Sequence, residues 1–202
     1  MPLQLPLPII YAITSGASTA KTTSESPHFS NILLLIEAAV AAELPLVQIR
    51  EKSLSARVLY ELTSRAVLLT RGSKTRLLLN DRFDIARAAG ADGVQLTTRS
   101  LPASVVRRLC GEDFVIGVST HSVETALEAR AEGADFVVFG PVFETESKRA
   151  FGLPQGLEKL REVARALEGF PVVAIGGMNL ENVLECFRVG ASGMAAIRLF
   201  NE

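Results

Sequence analysis

Gly90-Ala91-Asp92-Gly93-Val94-Gln95-Leu96 joins the end of one amphipathic stretch to a short aliphatic run. The same join returns as Gly133-Ala134-Asp135 ahead of Phe136, and as Gly190-Ala191-Ser192-Gly193 ahead of Met194. Glycine ends a helix by taking a positive φ, so the three joins share one chemistry of leaving a helix and entering a strand. Outward from them the pattern extends over the chain. Eight short runs alternate with helical stretches: Ile9–Thr14, Leu46–Ile49, Arg76–Leu79, Gly93–Leu96, Phe114–Val118, Phe136–Phe139, Val172–Ile175 and Gly193–Ile197. Most are continuously apolar, as parallel strands covered on both faces read.

Between the runs, Asn31–Ala42, Ser55–Leu69, Ser122–Ala131, Leu157–Leu167 and Leu180–Val189 carry helical spacing, several behind a capping Ser or Asn. Eight units fit either a doubly wound open sheet or a closed barrel. Polar residues recur at the C-terminal end of nearly every run rather than at one switch point, which favours the barrel. The expected fold is an α/β protein, a (β/α)8 TIM barrel, with residues 1–202 as one domain. Two segments are long for βα loops: Ser15–Ser30 and Phe143–Gln155. Such loops lie on the catalytic face of a barrel, so both are candidate lids, although a tolerated surface insertion reads the same way.

The composition excludes several functions. Apolar residues make up 48% of the 202, ample for one large core, and the formal net charge is −1. With no basic stripe and few aromatics, a nucleic-acid surface is not expected. No apolar run is long enough for a membrane span, and the start of the chain lacks a signal-peptide pattern, so the expectation is a cytoplasmic protein with no membrane partner. Cys110 and Cys186 are far apart, show no metal-ligand spacing and read as reduced thiols.

The strand ends carry the chemistry. Gln48 and Arg50 are two apart and share a face of the second strand, which in a barrel is the interior; Lys52 continues the series at the mouth. Two cations and an amide there would hold an anion. Asn80-Asp81-Arg82 ends the third strand and could equally cap the next helix. Ser119-Thr120-His121-Ser122 ends the fifth, and His121 stands where a barrel places a proton carrier. Thr145 and Lys148 could meet an anion from the loop after the sixth strand. Gly176-Gly177 ends the seventh and Ile197-Arg198 the eighth; these ends form the usual phosphate site of the fold.

Taken in order, Tyr11–Thr14, Val47–Lys52, Leu79–Arg82, Gly90–Leu96, Gly117–Ser122, Phe139–Phe143, Thr145–Lys148 and Ala174–Gly177 resemble the thiamine phosphate synthase and TenI family. The resemblance runs from about Tyr11 to Phe200. It implies a small phosphorylated, thiazole-like ligand. The synthases of the family join hydroxymethylpyrimidine diphosphate to a thiazole phosphate and use Mg²⁺ on two aspartates. Asp81 matches the first; Ser100 stands where the second would be, and Gln95 where those enzymes have His. The TenI-type members share the Gln-Leu-x-x-Arg-Ser pattern of Gln95–Ser100, and some are thiazole tautomerases.

That similarity makes an isomerase the expected function, a thiazole tautomerase with His121 as acid/base. Such a reaction needs no metal and no cofactor, and Asp81 would be a remnant of a Mg²⁺ site. The expected substrate-binding set is Gln48, Arg50, Lys52, Asn80, Ser119, Thr145, Lys148, Gly176, Gly177, Ile197 and Arg198. The alternatives are a thiamine phosphate synthase, which would use Mg²⁺, and a non-catalytic TenI-like binder of a phosphate ligand. A homodimer is expected, as small barrels often pair.

Overall fold

The computed structural model describes residues 5–145 and 153–201. Strands β1 (Ile9–Ile13), β2 (Leu46–Ile49), β3 (Arg76–Asn80), β4 (Gly93–Leu96), β5 (Val115–Thr120), β6 (Phe136–Phe139), β7 (Val172–Ile175) and β8 (Gly193–Ala196) pair in parallel. They close in sequence order into one barrel, β8 returning to β1 with Ile9 opposite Gly193. The helices that follow them are α1 (Pro27–Ala41), α2 (Ala56–Thr70), α3 (Phe83–Ala89), α4 (Ala103–Cys110), α5 (Val123–Ala131), α6 (Gly156–Ala166), α7 (Val183–Arg188) and α8 (Arg198–Asn201).

The continuous apolar runs follow from this closure. In β3, Leu78 joins the cluster inside the barrel with Ile9, Tyr11, Leu46, Val115 and Phe136. Its neighbours Leu77 and Leu79 point outward and pack with Ile36, Leu62 and Ala66 of α1 and α2. A strand with both faces dry has no polar alternate to show.

The repeated joins serve two purposes. Gly90, Gly133 and Gly190 do take positive φ, at 81°, 89° and 106°. The residue two places on then ties the join to the preceding strand. Asp92 accepts from the Leu77 amide at 2.9 Å, Asp135 from the Ile116 amide at 2.7 Å, and the Ser192 hydroxyl from the Val172 amide at 3.3 Å. Gly93 and Gly193 are needed for a different reason: a Cβ on either would lie 2.1 Å from a carbonyl oxygen of the neighbouring strand. Arg107 locks the β5–β6 side. Its guanidinium pairs with Asp135 at 2.8 Å and donates to the carbonyls of Gly111, Phe114 and Gly133.

Several boundaries differ from the pattern-based ones. Helix α1 begins at Pro27 rather than Asn31, because proline suits the first helical turn, where its missing N–H goes unused. Helix α7 begins at Val183 rather than Leu180. The Asn179 side-chain oxygen accepts the amides of Glu181 and Asn182 at 2.9 Å each, which holds the chain in a turn. The short helices α3 and α4 had no strong sequence signal. Cys110 and Cys186 are free thiols, and burial pushes the Cys186 thiol up to about 11. Among the described residues no helix is long and apolar enough to cross a membrane.

Candidate active site

The C-terminal mouth of the barrel divides into two halves of different chemistry. On the β7–β8 side lies a cleft of about 770 Å³, bordered by Ser15, Arg50, Thr145, the Gly176-Gly177 pair, Asn179 and Arg198. Gly176 and Gly177 have φ of 99° and 64°, and the loop after β6 crosses them closely. A Cβ on Gly177 would sit 2.5 Å from the Glu144 carbonyl oxygen, and one on Gly176 2.5 Å from the Pro141 Cβ. The glycines therefore let two βα loops meet at the cleft edge. Asn182 braces them by donating to the Gly177 carbonyl at 2.9 Å. Arg198 reaches across from β8 and donates to the Thr145 hydroxyl at 3.4 Å.

On the β2–β5 side the mouth is floored by amides and a hydroxyl. Gln48 is buried in the interior and donates from Nε2 to Asn80 Oδ1 at 3.2 Å. Gln95, also buried, donates to the Ser119 hydroxyl at 3.1 Å. Asn80 and Ser119, only half-buried, stand above these two glutamines.

A third element, the loop after β1, roofs the junction. Glu51 is 2% exposed, yet its two carboxylate oxygens accept the amides of Gly16 and Ser18 at 3.0 Å each. Its Oε2 also faces His28 Nε2 at 3.4 Å. Burial by itself would raise the carboxyl's pKa; the donors of Ser18, Thr14 and Gly16 outweigh it and hold the pKa below its ordinary value. The latch presses Gly16 onto Arg50, whose Nη1 would be 3.0 Å from a Cβ at that position. The start of this loop, at Gly16 and Ser18, is thus tied down.

The structure brings Arg50, Thr145, Gly176, Gly177, Ile197 and Arg198 to one cleft, and Gln48, Asn80 and Ser119 to the adjoining floor. Lys52 is exposed beyond Arg50. Lys148 lies outside the described residues, with the rest of 146–152. His121 is exposed at the end of β5, and its Nδ1 donates to the Gly140 carbonyl, which ties the end of β5 to the end of β6. Tyr11, Gln95, Glu51 and Asn179 escaped the sequence reading as site residues. Only position parity along β1 and β4 could have placed the first two inside the barrel.

The family's Mg²⁺ site does not fit the residues present. Asp81 offers one carboxylate. The Ser100 hydroxyl, at the position of the second, accepts the Thr97 amide at 2.8 Å and so closes its own turn. Among the described residues no group of three His, Cys, Asp or Glu could hold a metal ion.

The model of the thiamine monophosphate synthase family matches residues 17–200. The chain belongs to this family. A thiamine-phosphate synthase of Chlorobium phaeovibrioides is 45% identical over 152 residues, 75% of this chain and 72% of that protein. One from Clostridium tetani is 37% identical over 163 residues, 81% of this chain and 77% of that protein. Among solved structures, the thiamine phosphate pyrophosphorylase of Pyrococcus furiosus superposes with a TM-score of 0.78 at 32% identity, covering 96% of this chain and 87% of that one.

These findings overturn the expected isomerase. The similar proteins carry the synthase name, so the tautomerase reading is set aside, and with it the reason for making His121 an acid/base. The physical weakness of that reading lay in the weight placed on one missing carboxylate. Mg²⁺ takes many of its ligands from water and substrate phosphates, so a single protein ligand does not decide the chemistry.

Proposed function

We propose that this chain is a thiamine phosphate synthase, a transferase that joins hydroxymethylpyrimidine diphosphate to a thiazole phosphate. The thiazole nitrogen attacks the methylene carbon of the pyrimidine. A C–N bond forms, the C–O bond to the diphosphate breaks, and the electron pair leaves on the diphosphate oxygen. The observation that carries this reading is the two-part mouth, with a ligand-sized cleft edged by Gly176, Gly177 and Arg198 on β7–β8 beside a neutral hydrogen-bonding floor on β2–β5. A condensation of two ligands needs two adjoining subsites of different chemistry, and the family membership supports the same assignment.

Each part has a role in this scheme. The backbone of Gly176-Gly177 and the side chains of Arg198 and Thr145 hold the thiazole phosphate. Asn80 and Ser119 meet the pyrimidine ring. Arg50, which borders the cleft, takes the diphosphate and its growing charge as the C–O bond opens, with Lys52 next along the chain to add a second cation. Most of the acceleration comes from holding nucleophile and carbon in line. No step is assigned to a protein-held metal, because the donors for one do not fit. The test is to incubate the purified protein with both substrates and to follow thiamine phosphate by mass spectrometry alongside diphosphate release. Stoichiometric formation of both supports the proposal; no product across a titration of Mg²⁺ from zero to saturation sinks it.

A further inference from the structure

Tyr11 lies wholly buried inside the barrel, where its ring packs edge-on to Phe136 at a centroid distance of 5.9 Å. Its hydroxyl is 3.4 Å from Gln95 Oε1, and on the other side of that amide Nε2 reaches Ser119 Oγ at 3.1 Å and the Leu96 carbonyl at 3.4 Å. Gly117 makes room for this arrangement: a Cβ there would fall 2.3 Å from Gln95 Oε1 and 2.4 Å from the Phe136 ring.

The polarity of this chain of groups is determined by donor accounting. Burial raises the Tyr11 phenol well above its ordinary pKa, so it keeps its proton. Among the described residues, Gln95 Oε1 is the side-chain acceptor placed to take it. Reversing the Gln95 amide would leave the phenol proton without an acceptor and the Leu96 carbonyl without that donor, a buried loss that proteins avoid. With Oε1 committed to Tyr11, Nε2 must donate to Ser119. The Ser119 oxygen then accepts from below, and its own proton points to the mouth. The Gln48–Asn80 pair has the same sense, since Asn80 Oδ1 is occupied and its NH2 is left for a ligand.

We infer that Tyr11 and Gln95 are positioning residues that fix Ser119 as a hydrogen-bond donor, so that this half of the mouth selects a ligand presenting an unprotonated heteroaromatic ring nitrogen. The inference deepens the proposed function, on whose pyrimidine substrate it rests. A diphosphate oxygen is the other acceptor chemistry that a hydroxyl donor could serve, and the experiment separates the two.

The probes are hydroxymethylpyrimidine diphosphate and its analogues in which each ring nitrogen in turn is replaced by CH. Their dissociation constants are measured calorimetrically for the wild type, Tyr11→Phe, Ser119→Ala and the double variant, and for Gln95→Glu and Gln95→His. Loss of one neutral hydrogen bond should weaken the parent ligand about fivefold in Tyr11→Phe and in Ser119→Ala. The double variant should be no weaker than Ser119→Ala alone, which is the signature of one shared pathway. Gln95→Glu, which cannot donate to Ser119, should lose as much, whereas Gln95→His, able to accept on one nitrogen and donate on the other, should keep the wild-type affinity. One CH analogue should bind the wild type and the variants alike.

Additive losses, unchanged affinity in Tyr11→Phe, or equal losses with every CH analogue (the diphosphate outcome) each overturn the inference. So does a wild type that binds none of the probes. Should Tyr11→Phe fail to fold by circular dichroism, Gln95→Glu and Ser119→Ala decide the question with the same analogues. Tight, polarity-dependent binding without thiamine phosphate formation would leave this inference standing and refute the synthase reading.

Discussion

Replacing Glu51 with Gln should release the loop after β1 without unfolding the barrel. The carboxylate is buried and each of its oxygens holds one backbone amide, Gly16 at one and Ser18 at the other, both at 3.0 Å. In the Glu51→Gln variant one oxygen becomes NH2 and meets an N–H, while the other bond loses its charge. A hydrogen bond to a charged group contributes about 1.5–3 kcal/mol, and a neutral one about half of that. The combined loss is therefore about 3 kcal/mol, on the order of a hundredfold in the opening equilibrium. The His28 contact adds little to this loss because the imidazole is partly solvated. Amide hydrogen exchange at Gly16 and Ser18, corrected for intrinsic rates, should speed up by about that factor. Exchange at β3 amides such as that of Leu78 should hold, because the opening is local.

A pH arm checks the sign. The Glu51 pKa is lower in the folded chain than its ordinary 4.5. Its stabilisation is then fully present above that ordinary value and fades as pH falls through the folded one. The wild-type loop should loosen over that acid window, and the Glu51→Gln variant should show no such step. Because Gly16 presses on Arg50, the variant should also raise the KM for the diphosphate substrate. Acceleration of less than threefold at both amides would refute the latch.

Other expectations follow from the same geometry. His121→Ala should change thiamine phosphate formation by no more than about threefold; a hundredfold fall, the usual scale for a lost proton carrier, would return the imidazole to the chemistry. Gly177→Ala should raise the KM for thiazole phosphate, because its Cβ would lie 2.5 Å from the Glu144 carbonyl and must displace the loop after β6; an unchanged KM would remove that loop from the phosphate site. Asp135→Ala breaks a largely buried pair with Arg107 and orphans the Ile116 amide, so urea unfolding should show a loss of about 3–5 kcal/mol. Ser100→Asp adds a carboxylate at the position where the family resemblance puts the second one; Mg²⁺ titrated with diphosphate present should bind about tenfold more tightly, and no gain would mean that positions 81 and 100 do not face one ion.

The barrel itself was legible because its signals are local. Continuous apolar runs mark strands with two dry faces, and glycines at 90, 133 and 190 mark helix ends, each requiring only a short window of chain. The positions of Gln48, Arg50, Gly176 and Gly177 followed from strand parity and from being last on their strands. Helix α1 was placed four residues late because it opens on Pro27, and α7 three residues early because side-chain bonds of Asn179 compete with helix.

Function was read less well. One absent carboxylate outweighed similarity spread over most of the chain, and that local weighting led to the wrong reaction. The amino-acid sequence by itself determined that this chain is a (β/α)8 barrel with polar and cationic groups at its strand ends, since periodicity and helix-end glycines are properties of neighbours along the chain. Only the tertiary structure decided that the mouth has two halves, that Glu51 pins the first loop, and that Tyr11 acts through Gln95 on Ser119. Tyr11 and Gln95 are 84 residues apart, and barrel closure is what brings a donor and an acceptor so distant in sequence within reach of each other.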